Sequence, residues 1–178
     1  MLTPRETTRR AVVLVGALAV LGLASSGNAA DRAKLSSRYR FSGGQRERSA
    51  IGEAIDDVVA DMNFIARPIA RRRLKAAARV PEKIKIHIDD DTITIELGTE
   101  VYRAPANGKP VMVPGSDGDV ELRMHVTESA LVQRFSTGEG GKDNTFRRAG
   151  DKKMRVAVRI HSGKLPKDLE YQLTYTRT

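Results

Sequence analysis

Three histidines are the side chains most able to bind a metal or move a proton: His87, His125 and His161. Each falls in the polar phase of an alternating run, opposite the apolar positions. No two share the close i, i+2 or i, i+4 spacing of ligands on one strand or helix turn. A zinc site would have to be assembled across strands, and the reading takes them as solvent-facing residues with no metal. Asp89-Asp90-Asp91, and Asp117 with Asp119, bring carboxylates together. Calcium needs six to eight oxygens, however, and neither stretch has the EF-hand spacing. Asp, Asn and Gly are also the ordinary residues of tight turns. Gly140-Gly141-Lys142 has the flavour of a phosphate loop without the strand–loop–helix setting that such a loop needs. There is no G-x-S-x-G and no cysteine, so thiol chemistry, disulfides and thiolate metal sites are excluded. These residues point to a non-enzymatic protein that calls for no cofactor.

Two further groups could bind rather than react. Arg67, Arg71, Lys75 and Arg79 recur every four residues, and Arg72 adds to their charge, a face suited to anionic lipid or an acidic polymer. No aromatic is interleaved for base stacking, so nucleic acid is not expected. The second group, Met124, Gln133, Phe135, Val158, Tyr171 and Tyr175, falls in the inward phase of successive strands. Met is adaptable, and Tyr joins an apolar body to a polar tip. Such residues suit the wall of a small hydrophobic or lipid-like ligand as well as they suit a core. Gln133, between Leu131 and Phe135, is the one amide in an apolar row, and a buried amide needs partners.

The N-terminus suggests the compartment. Arg5, Arg9 and Arg10 precede an apolar run from Ala11 to Ala24, and small residues follow to Ala30, the order of a cleaved secretory signal over residues 1–30. Fourteen apolar residues fall short of the roughly 20 of a membrane-spanning helix. The expectation is an exported protein, periplasmic or secreted, with no stable transmembrane segment after cleavage. The whole chain has 31 basic and 22 acidic residues; without the leader's three Arg and one Glu it keeps 28 and 21, a net of +7. About 148 residues remain after the cut, enough for one domain without staples.

The elements follow from periodicity. Residues 31–44 have no apolar period and read as a flexible lead-in to a single domain over 45–178. Ser42 and Gln45 have capping-box spacing. Ile51, Ile55, Val58, Val59, Met62 and Ile65 make one helical stripe. Arg67-Pro68 breaks it, and a short helix restarts from Ile69 to Arg79. From Ile84 the period changes to two. About nine strands follow with short connections: Ile84–Ile88, Ile93–Leu97, Val101–Ala104, Val111–Val113, Val120–Val126, Leu131–Phe135, Thr145–Arg148, Met154–Ile160 and Leu169–Tyr175. With no helix between them, parallel crossovers are excluded. The fold class is α+β: an N-terminal amphipathic helix packed on, or capping, a curved antiparallel meander.

A long antiparallel meander with one apolar face, in a small exported chain, resembles the lipocalin and wider calycin group over Ile84 to Arg177. The resemblance is architectural. The G-x-W motif of lipocalins is absent, since the chain has no tryptophan, and the helix stands before the strands rather than after them. The resemblance implies a barrel with a site for a small apolar molecule. If the helix instead fills the curled sheet, the core is closed and the basic helix face becomes the working surface of an envelope interaction protein.

Overall fold

A computed structural model describes residues 35–116 and 118–178. Residues 1–34, including the expected signal, lie outside the described residues. Ten strands and two helices follow in chain order: β1 (Ser37–Phe41), α1 (Gly44–Ala60), α2 (Ala66–Ala77), β2 (Lys83–Ile88), β3 (Thr92–Leu97), β4 (Glu100–Pro105), β5 (Val111–Gly115), β6 (Gly118–Val126), β7 (Leu131–Thr137), β8 (Gly140–Arg148), β9 (Lys153–Ser162) and β10 (Leu169–Arg177). All pairings are antiparallel, in the order β4-β3-β2-β1-β10-β9-β8-β7-β6-β5. The sheet curls until its ends approach. Asn107 makes an isolated bridge to His125, and the ring of Tyr102 on β4 meets that of Phe135 on β7 edge-on, centroids 4.9 Å apart. The architecture is a nearly closed ten-stranded barrel capped by two helices.

β1 corrects the reading of residues 31–44 as a lead-in. It pairs with both β2 and β10, Tyr39 standing opposite Ile84 on one side and Arg177 on the other. The helices are therefore inserted after the first strand rather than placed before the barrel. The strand is short, but Tyr39 is 4% exposed and its hydroxyl donates to the Leu35 carbonyl at 3.1 Å.

α1 buries Ile51, Ile55, Val58 and Val59, four positions of the expected stripe. The stripe ends there. Met62 is half-buried and Ile65 is exposed, because the chain turns at 61–65 and not at Arg67-Pro68. The side-chain oxygen of Asn63 accepts from the backbone N–H of Ile65 and Ala66 at 3.1 and 2.9 Å, which starts α2. Pro68 sits in the first turn, where its missing N–H has no helical acceptor to lose. The expected capping box also fails. No side chain caps α1; Ser42 Oγ donates to the Thr174 carbonyl, and Glu47 turns outward to accept from the Thr174 N–H at 2.7 Å and its hydroxyl at 2.6 Å. A Cβ on Gly43 would lie 1.8 Å from the Glu47 carboxylate, so this bond requires glycine there.

α1, Leu74 and Ala78 join the inward faces of the strands in one apolar core. No described helix is long and apolar enough to cross a membrane.

Candidate functional site inside the barrel

Strand register brings four of the six inward residues into one line. Met124 stands opposite Gln133, Gln133 opposite Asn144, Asn144 opposite Val158, and Val158 opposite Tyr171. Facing side chains in an antiparallel sheet lie about 5 Å apart, so this is a continuous row across five strands. Phe135 lies in the next row toward the helices, opposite Leu122 and Lys142. Tyr175 lies further toward the other end, opposite Met154, with its hydroxyl donating to the Pro81 carbonyl at 2.9 Å.

The row is dry. Met124, Gln133 and Tyr175 have no exposed surface, Val158 has 5% and Tyr171 has 9%. Burial pushes the ionisation of Tyr171 and Tyr175 well above the usual tyrosine range. At the helix end Leu97, Tyr102, Val111, Val113, Phe135 and Lys142 are only half-buried, so the barrel is loosest beneath α2.

Two amides lie in the middle of this apolar row. Asn144 Nδ2 donates to Gln133 Oε1 at 2.9 Å, which satisfies one side of each amide. Gln133 Nε2 has no hydrogen-bond partner among the described residues, although the side chain is fully buried. A buried donor left unpaired costs about 1–3 kcal/mol.

Asn144 and Lys142 are the site residues that sequence reading missed. Gly138 to Gly141 reads as a glycine-rich turn and the next strand as starting around Thr145, yet β8 begins at Gly140. Extending the alternation backward from Phe146 through Asn144 to Lys142 is the signal that finds them. The Lys142 ammonium turns toward the helices and donates to the carbonyl of Ala77, the last residue of α2, at 2.7 Å. Burial pushes its pKa below the usual lysine value, partly opposed by the charge of Glu100.

The basic group divides. Arg67 donates to the Ala60 and Met62 carbonyls at 2.7 and 2.9 Å, closing the exposed end of α1. Arg71 Nε lies 3.0 Å from the Asp56 carboxylate, off the line of a hydrogen bond. These two brace α2 against α1 and do not form part of a free basic face. Arg72, Lys75 and Arg79 are exposed. His87 lies 2.9 Å from Asp89, and no three His, Cys, Asp or Glu side chains gather as a metal site among the described residues.

A surface groove of about 570 Å³ lies beside the start of α1, against Glu170 to Thr174 of β10. Its wall holds the Glu47–Thr174 bonds, and of the inward candidates only Tyr171 borders it.

Comparison with solved structures finds likenesses at low sequence identity. The chain is similar to a Schistosoma mansoni fatty acid binding protein in complex with arachidonic acid (15% identity, 83% of this chain and 98% of that one, TM-score 0.49). It is similar to the zebrafish ileal bile acid-binding protein complexed with cholic acid (9% identity, 82% and 99%, TM-score 0.49). It is also similar to apo lipid binding protein 8 of Caenorhabditis elegans (10% identity, 82% and 96%, TM-score 0.49). No protein-family model matches the chain, and no curated protein does. Identities this low assign no family.

Proposed function

We propose that this chain is a non-enzymatic binding protein of the cell envelope that takes a small, mainly apolar ligand with a hydrogen-bond acceptor into the barrel. The observation that carries the reading is Gln133: a fully buried amide in an apolar row, held by Asn144 on one side and unpaired on the other. A ligand oxygen beside Gln133 Nε2 relieves that donor, while Met124, Val158 and Tyr171 pack the apolar body. Entry is by the helix end. α2 puts only Leu74 and, just beyond its end, Ala78 into the core, so moving it exposes little apolar surface and costs little. Export rests on the leader, and the expected compartment is the periplasm or the exterior.

The test is titration with anilinonaphthalene sulfonate against folded protein. The wild type is expected to bind about one probe per chain and to release it to long-chain carboxylates. Gln133→Leu with Asn144→Leu, which removes both amides, should keep the fold and lose the preference for ligands bearing an acceptor. Absence of saturable binding contradicts the reading.

A second reading is favoured by the dryness of the row. With Met124, Gln133 and Tyr175 fully enclosed, the barrel serves as a packed scaffold, and function resides on the helix surface as an envelope interaction protein. An empty protein that still needs its helix face in the cell would support this reading.

A further inference from the structure

The α1–α2 turn exposes large apolar side chains that none of the other described residues covers. Phe64 is 83% exposed, Ile65 66% and Ile69 48%. At 100° per residue Ile65, Ile69, Arg72 and Ala76 fall on one face of α2, opposite the buried Leu74. Arg73 and Lys75 stand at the two edges of that face, and Arg79 follows just beyond the helix end. All four basic residues are exposed, and none forms an ion pair with another described residue. Apolar residues at the tip of a turn, with free cations behind them on an amphipathic helix, are what an interfacial helix presents to a lipid surface. The mature chain's net charge of +7 has the same sign.

We propose that this face docks on an anionic phospholipid bilayer. Phe64, Ile65 and Ile69 enter the acyl boundary, and Arg72, Arg73, Lys75 and Arg79 meet the headgroups. A bilayer fits better than an acidic protein because Phe64 stands almost wholly in solvent. A projecting phenylalanine with arginines around it enters a fluid surface anywhere, whereas a folded partner must supply a matching pocket. The patch is separate from the barrel row, so this proposal stands whether or not the barrel holds a ligand.

The chain has no tryptophan, so Phe64→Trp in the host-processed protein is a unique reporter at an exposed site. Vesicles of phosphatidylcholine with one-third phosphatidylglycerol are expected to shift its emission to the blue, and brominated acyl chains to quench it. Pure phosphatidylcholine should do neither. Arg72→Glu with Arg73→Glu and Arg79→Glu should weaken vesicle partitioning at least tenfold, each cation near the surface contributing roughly a fivefold factor. Ile65→Ser with Ile69→Ser should weaken it at fixed charge. Unchanged emission with anionic vesicles overturns the proposal. So does equal binding to neutral vesicles, or binding that the charge reversals leave intact. Capture of an acidic protein by the arginine face without vesicle binding overturns it in favour of a protein partner.

Discussion

The two helices, 17 and 12 residues long, have opposite roles. α1 buries Ile51, Ile55, Val58 and Val59 and ties its first turn to β10 through Glu47. α2 buries Leu74 alone within its length, presents Ile65 and Ile69 to solvent, and is held by Arg67, by Arg71 and by the Lys142 ammonium on its last carbonyl. One helix is part of the core; the other is a cover fastened by polar contacts. Of the two helices α2 is the less buried, and it lies above the half-buried end of the barrel.

This difference can be broken most directly in the core. Ile55→Ala should cost about 2–5 kcal/mol, the usual range for a fully buried large-to-small change. Ile69→Ala, exposed on α2, should stay within about 0.5 kcal/mol. Urea midpoints at constant slope measure both. Equal losses would mean that α2 is as much a core element as α1.

The next largest effect is in the amide row. Asn144→Leu takes away the one partner of Gln133 and should cost about 1–3 kcal/mol. Adding Gln133→Leu should restore most of that loss, since removing both partners of a buried bond is nearly neutral. A double variant as unstable as the single one would show that the loss came from packing.

Alkali sharpens the comparison between barrel interior and cover. All four tyrosines, Tyr39, Tyr102, Tyr171 and Tyr175, are pushed above the usual value, chiefly by burial. Their stabilising contribution is complete below the unfolded value of about 10 and is lost as pH rises beyond it. Tyrosinate absorbance should therefore appear late and together with unfolding. Lys142 has the opposite sign. Its folded value lies below the unfolded one, so it penalises the fold at neutral pH, and stability rises as pH climbs toward about 10. Lys142→Met should flatten that rise and loosen α2, seen as faster amide exchange at Ala77 and Ala78, with a change in global stability of about 1 kcal/mol or less.

Much of the barrel was legible because alternation is a strong signal where one face is wet and the other dry. Ile84-Ile86-Ile88 and Met154-Val156-Val158-Ile160 read directly as β2 and β9. β1 was not legible: Ser-Arg-Tyr-Arg-Phe is five residues long, and its meaning comes from two neighbours distant in sequence, β2 and β10. The turn between the helices was placed at Arg67-Pro68 because proline is the louder signal, while the Asn63 side chain sets the actual start. In the site, Met124, Gln133, Val158 and Tyr171 could be named from phase, but their alignment in one row depends on registers that local sequence does not encode. Asn144 hid behind two glycines. Arg67 and Arg71 shared the basic spacing yet are taken up by α1, which a helical wheel of α2 alone cannot reveal.

The most direct test of a ligand in the barrel is native mass spectrometry of the protein purified from its own host, followed by organic extraction. The account predicts one apolar molecule with an acceptor group per chain, absent from the Gln133→Leu, Asn144→Leu double variant. A clean ligand-free mass, unchanged after incubation with long-chain carboxylates or bile acids, would contradict it and leave the barrel as a packed scaffold.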